Sequence, residues 1–277
     1  MSLHPDVDAV LNGSAKWALV EGDCVEVLAE LPPKSVDHVI TDPPYSEHVH
    51  SKAWAGKRKT PLRDGNGRVT RCAFARQTEI GFEHLDGGVR RGAAEHCERV
   101  AKRWSLIFSD IETSHLWFAD LTTVGLEFVR TALWVKLNST PQFTGDRPGI
   151  GAEAICIVHP KGRKRWSGGG QAGVFTHPVE RTQYSLSDLR INTTQKPLSL
   201  MLELVELFTD PGDIILDAFA GGATTGVAAL RLGRRFIGVE KRPAMAAAAR
   251  ERLTAEEQGH SLRDARAGQL PMFGGLK

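Results

Sequence analysis

Short apolar runs rich in β-branched residues recur along this chain, and stretches with helical periodicity fall between them. Residues 36–41, 106–108, 129–135, 155–158, 214–216 and 236–239 read as buried strands, because runs of this length and composition fit a sheet covered on both faces. Helical patterns cover residues 111–123 and 197–208, the second with Pro197 suited to a first turn. A third helix starts at Thr224 or Thr225 and stops near Gly233, and an Ala-rich fourth runs over 243–253. Alternation of this kind predicts an α/β fold with a mostly parallel sheet flanked by helices, in one domain spanning 1–277.

Two stretches break the alternation. Residues 46–100 are long and rich in Gly, Arg and His, which predicts a basic lid or insertion rather than part of the sheet. Residues 138–190 mix turn signals with the patch Lys161-Gly162-Arg163-Lys164-Arg165-Trp166, a candidate target-recognition region. The net charge of +2 conceals an asymmetry here. Residues 52–103 hold thirteen Lys or Arg against six Asp or Glu. A basic segment on a mildly acidic body suits contact with a phosphate backbone, and a solvated surface loop would carry the same charge. Lys57, Arg58 and Lys59, with Arg163, Lys164 and Arg165, are the candidate DNA contacts.

Composition excludes several classes. No apolar run approaches the roughly 20 residues of a membrane span, and the first residues lack a secretory pattern, so a cytoplasmic protein is expected. Cys24, Cys72, Cys97 and Cys156 lie far apart with no CxxC pair, and the ten histidines form no ligand cluster, so no metal is expected. None of the cysteines follows a proline, which speaks against covalent attack on a base through a Pro-Cys loop.

The sharpest local feature is Asp42-Pro43-Pro44-Tyr45, set at the end of the 36–41 strand. Chance would produce this string in about one chain per thousand of this length. A carboxylate and the carbonyl of a proline-stiffened loop can both accept hydrogen bonds from an exocyclic base amine. Held so, the nitrogen moves toward tetrahedral geometry and its lone pair becomes available. Tyr45 offers an aromatic face to a base turned out of the duplex. The simpler alternative is a rigid turn after a strand.

The second feature reads strand, glycine turn, helix start: residues 213–217, then Ala218-Phe219-Ala220-Gly221-Gly222-Ala223, then Thr224-Thr225. The strand 235–239 follows and ends in Glu240, an acid placed to accept from ribose hydroxyls. A Gly-rich turn alone is weak; the whole succession is specific.

With the acceptor motif ahead of the cofactor motif, the chain resembles the permuted β class of amino-group DNA methyltransferases, and the resemblance covers most of its length. Val20-Glu21-Gly22-Asp23-Cys24 resembles the family's first cofactor segment, and Thr194-Gln195-Lys196-Pro197 resembles its Lys-Pro element. Trp134-Val135-Lys136 and Glu153-Ala154-Ile155 match positions near the catalytic half. The resemblance implies a Rossmann-like, circularly permuted sheet of seven strands with a reversed last strand. It further implies S-adenosylmethionine as donor, base flipping, double-stranded DNA as substrate, and a homodimer or higher assembly in a bacterial or phage setting. Carried residue by residue, Asp42, Pro43, Pro44 and Tyr45 would hold the base. Asp23, Cys24, Asp42, Lys196, Asp217, Phe219, Gly221, Thr224, Thr225 and Glu240 would hold the cofactor. Asp at position 42 favours N6 of adenine over N4 of cytosine. An RNA or protein amide methylase would show the opposite motif order, and an inactive DNA-binding regulator on this fold is the rival from another class. Ala223 departs from the family's Gly–small–Gly turn, and its methyl is costly only at positive φ.

Overall fold

The computed structural model describes residues 3–45, 60–63, 69–73, 86–139, 146–180, 191, 194–266 and 268. Its centre is an eight-stranded sheet in the order β1-β10-β9-β2-β5-β7-β6-β8. The strands are β1 (Trp17–Glu21), β2 (His38–Thr41), β5 (Ser105–Ser109), β6 (Glu127–Lys136), β7 (Ala152–His159), β8 (Val174–His177), β9 (Ile214–Asp217) and β10 (Arg235–Glu240). A separate antiparallel pair, β3 (Thr60–Arg63) and β4 (Val69–Ala73), lies in the 46–100 stretch.

Every neighbouring pair in the large sheet is parallel except those of β7, which runs against β5 and β6. The expected single reversed strand is present, but it lies inside the sheet. Seven expected strands become eight, because the short β8 adds an edge by pairing in parallel with β6.

Period-two alternation sends neighbouring residues to opposite faces, and the two cores divide accordingly. Ile40, Leu106, Phe108, Ile215 and Phe236 enter one core under α5 (Leu198–Phe208), α6 (Thr224–Arg231) and α7 (Pro243–Glu257). Val39, Ile107, Ile214, Leu216 and Ile237 enter the other, under α1 (Pro5–Leu11), α2 (Cys24–Glu30), α3 (Gly87–Val100) and α4 (Ser114–Thr123). A short α8 (Leu262–Arg266) follows α7.

The 46–100 reading needs a correction at its end. Residues 87–100 are helix α3, and Ala93, Ala94, Cys97 and Val100 are buried in the second core. Their glycines and arginines hid the helix, yet the small residues allow close packing: a Cβ on Gly92 would sit 3.5 Å from Val25. The 138–190 stretch likewise contributes β7 and β8 to the sheet.

Candidate active site

Parallel strands bring their carboxyl ends to one edge of the sheet, and β7, being reversed, brings its first residues there too. That edge collects Asp23 after β1, Asp42 after β2, Lys136 at the end of β6, Glu153 near the start of β7, Asp217 at the end of β9 and Glu240 at the end of β10. Lys196 joins them from the segment leading into α5.

The centre is a chain of alternating charges. Lys196 Nζ lies 2.6 Å from Asp42 Oδ2 and 3.1 Å from Glu153 Oε2, and it donates to the Tyr45 hydroxyl at 3.2 Å. Tyr45 in turn donates to Glu153 Oε2 at 2.5 Å, while Lys136 pairs with Glu153 Oε1 at 2.7 Å. The Lys196 ammonium also sits 5.1 to 5.9 Å from the ring centroids of Phe108, Tyr45 and Trp134. Burial pushes Asp42 above the ordinary carboxylate range, with Lys196 opposing it. Burial would raise Glu153 as well, but Lys196 and Lys136 outweigh it and hold that carboxyl at about 2. For Lys196 burial works against the charge, and Asp42 and Glu153 more than compensate, so its pKa is raised. Asp42 Oδ1 is buried and has no hydrogen-bond partner among the described residues. An acceptor left in that condition costs free energy unless a donor arrives.

The glycine turn lies beside this centre. Asp217 is occupied within the protein: it accepts from the Thr41 hydroxyl at 2.6 Å, the Thr225 hydroxyl at 2.7 Å and the Phe219 N–H at 3.1 Å. Burial nonetheless raises its pKa to about 6. Gly221 and Ala223 both adopt positive φ, 50° and 54°. The Ala223 conformation is therefore the strained one that the sequence left open, and α6 begins there without a side-chain cap. The fully buried Arg252 donates to Gly222 O at 2.6 Å and to the Thr224 hydroxyl at 3.0 Å, tying α7 to the turn. A Cβ on Gly222 would approach Ile191 to 2.9 Å, so only glycine lets the segment before Lys196 lie on the turn.

Asp23 caps α2 through Val25 N–H at 3.0 Å and meets Lys241 at 3.4 Å. The Gly22 N–H donates to Glu240 O at 3.1 Å, which sets Asp23 and Glu240 at adjacent strand ends. Glu240 Oε1 accepts from the N–H and Nε of Arg242, both at 2.9 Å. Cys24 is buried in the second core with its thiol pushed up to about 12, by burial and then by Asp23. Two acids on neighbouring strands, an open turn and the start of α6 fit a nucleoside-like cofactor.

The structure brings Asp42, Pro43, Pro44, Tyr45, Lys196 and the cofactor candidates to one edge. It places the basic patch elsewhere. Residues 161–166 follow β7 at the opposite, amino-terminal edge, where Lys164 meets Glu127 at 2.5 Å, Arg165 meets Asp210 at 3.1 Å and the Arg165 carbonyl accepts from Trp104. A five-residue strand separates the edges by about 16 Å. Arg163, Lys164 and Arg165 are thus not on the edge that carries Asp42; β7, which reverses direction, carries them away. Lys57, Arg58 and Lys59 lie outside the described residues. The family resemblance put Lys136 and Glu153 near the catalytic half without giving either a role, and no local signal marked Arg252 at all.

Comparison with known proteins agrees with this geometry. Residues 174–251 match the DNA methylase family of N6 and N4 amino methylases. Over 80% of its length the chain is 26% identical to the type II methyltransferase M.HinfI of Haemophilus influenzae, and it spans 64% of that protein. It is 28% identical to the methylase YubD of Escherichia coli K12, covering 86% of this chain and 91% of that one. In fold it resembles the M1.HpyAVI–SAM complex, with a TM-score of 0.60 at 21% identity, covering 86% of this chain and 98% of that one. The fold is thus that of the S-adenosylmethionine-dependent methyltransferases. In motif order and in these matches the chain resembles the amino-group DNA methyltransferases.

Proposed function

We propose that this protein methylates N6 of an adenine turned out of double-stranded DNA, with Asp42 as acceptor for the target amine. The observation that carries the reading is Asp42 Oδ1, a buried carboxylate oxygen with no partner, beside the proline-stiffened loop 43–45. An amine N–H donated to Oδ1, with the other donated to the Pro43 carbonyl, would hold the nitrogen out of the ring plane. The Asp42 charge would then stabilise the positive charge that grows on that nitrogen during attack. Tyr45 would present its ring to the base, its hydroxyl anchored by Glu153 and Lys196.

S-adenosylmethionine supplies an electrophilic methyl group when bound. Glu240 and Asp23 would accept from its ribose and adenine, with Phe219, Gly221, Thr224, Thr225 and Lys196 around it. Cys24, a neutral buried thiol, would contribute packing. Asp217 would act one step back by fixing the turn through Thr41, Thr225 and Phe219. DNA contact is assigned to the basic residues 52–86 on charge alone, Lys57, Arg58 and Lys59 included, and a homodimer on resemblance alone. Among the described residues no helix is long and apolar enough to cross a membrane, and no group of metal-ligating side chains occurs.

Nucleoside mass spectrometry of DNA from cells expressing the chain, beside cells carrying Asp42→Ala, tests the reading. N6-methyladenine that vanishes in the variant is the expected result. N4-methylcytosine would overturn the choice of base, and methylation that survives the substitution would overturn the role of Asp42.

A further inference from the structure

We propose that Glu153 is a positioning residue for methyl transfer: it neutralises the Lys196 ammonium and fixes Tyr45, which leaves the charge of Asp42 available to the target amine. The inference rests on the reading of Asp42 above and gives a role to a residue that the motifs left without one.

Lys196 has three N–H donors, and the structure accounts for all of them, on Asp42, Glu153 and the Tyr45 hydroxyl. A carboxylate held at 2.6 Å by an ammonium is largely neutralised as a pair, and a neutral pair does little for a nitrogen that is becoming positive. Glu153 changes that sum. With it, the Lys196 charge is shared between two carboxylates while Lys136 balances Glu153 from the far side, so the chain is neutral overall but Asp42 is only partly compensated. Lys136 is bound through Oε1, leaving Oε2 for Lys196 and Tyr45. The Glu153 side chain is only 10% exposed, so solvent screens these charges weakly.

Among the described residues the surroundings supply no substitute. Around Lys196 the packed elements contribute Asp42 and Tyr45 from the β2 end, Phe108 from β5, Trp134 and Lys136 from β6, and Glu153 from β7. Asp217 on β9 is a further carboxyl, and the Asp42 charge adds to the upward displacement that burial gives it. The Tyr45 hydroxyl would lose its 2.5 Å acceptor along with Glu153, and the ring proposed to receive the base would lose an anchor.

The test is single-turnover methyl transfer across pH by wild type, Glu153→Gln and Lys136→Met, with S-adenosylhomocysteine affinity measured alongside. Glu153→Gln keeps the shape and removes one negative charge. We expect the rate at its optimum to fall about 10- to 100-fold, with cofactor-product affinity within about threefold of wild type. Both limbs of its pH profile should move to lower pH, because losing an anion lowers the pKa of Asp42 and of Lys196 together. Lys136→Met removes a cation from the same chain, so its limbs should move to higher pH. Opposite displacements cannot come from a purely structural role, and the Lys136 variant keeps the test open if Glu153→Gln fails to fold. Limbs that coincide with wild type in the variants that fold, or a Glu153→Gln rate within threefold of wild type, would sink the proposal. A wild-type protein with no methylated product would sink the reading of Asp42 instead, and the two failures are told apart by that control.

Discussion

The two ends of the sheet are both dense in charge, and they handle it differently. At the amino-terminal end Arg103 bridges Asp210 and Asp213, each at 2.9 Å, Lys102 meets Asp37 at 3.1 Å, and Asp37 accepts from Ile214 N–H at 2.8 Å. Burial would raise Asp213, but the His38 hydrogen bond and the neighbouring positive charges outweigh it and hold it below the usual carboxylate range. His38 Nδ1, His159 Nε2 and the Ser35 and Ser105 hydroxyls are exceptions, buried without a partner among the described residues, and burial lowers the pKa of both rings. At the carboxyl-terminal end Asp42 and Asp217 are displaced upward, and Asp42 retains an unpartnered oxygen. One end lowers the energy of the fold with charges. The other holds charges at a cost that a ligand can relieve.

Three substitutions would break or sharpen that contrast. The largest effect is expected from Glu240→Gln at the carboxyl-terminal end, where S-adenosylhomocysteine affinity by calorimetry should weaken about 10- to 100-fold, as loss of a charged acceptor predicts. Unfolding free energy should stay within about 0.5 kcal/mol. An unchanged affinity would remove Glu240 from the cofactor site. Arg103→Ala at the other end should do the reverse. It breaks half-buried pairs with Asp210 and Asp213 and should lower stability by about 1–2 kcal/mol in urea titrations. Its single-turnover rate should match wild type, and a large loss of rate would show that the two ends are coupled.

The third is a dependence on pH. Asp217 has a folded-state pKa of about 6, above its unfolded value, so its contribution to stability is full below the unfolded pKa and is lost as pH rises through about 6. Asp213 is depressed, so its contribution is present above the unfolded pKa and is lost as pH falls through the folded one. Between about pH 4 and 6 the stability difference, wild type minus Asp217→Asn, should therefore decline as pH rises. A flat difference across that window would mean that Asp217 is not held protonated in the fold.

Legibility followed the distance over which each signal acts. The strands at 36–41, 214–216 and 236–239 could be read because both sheet faces are covered, which leaves nearly unbroken apolar runs. Helix α3 was hidden, since Gly87, Gly88 and Gly92 oppose helix locally and only the fit of its small residues under the sheet favours it. The Asp42 loop and the glycine turn were legible because each function sits on one short segment. Glu153, Lys136 and Arg252 act on partners 17 to 108 residues away on other elements, and no spacing rule reaches that far. The edge on which the 161–166 patch lies was hidden for the same reason, as composition records charge but not position in the sheet.

The sequence by itself determined that an α/β sheet forms, that an Asp-Pro-Pro-Tyr loop at one strand end precedes a glycine turn at another, and that Ala223 stands in that turn. Those are local matters of propensity, periodicity and backbone sterics. The tertiary structure alone decided that Asp42, Lys196, Glu153 and Lys136 form one chain of charges. It alone decided that Ala223 does take positive φ, and that the basic patch falls at the far end. The reason is that strand direction, set by β7 running against its neighbours, decides which end of the sheet each residue reaches.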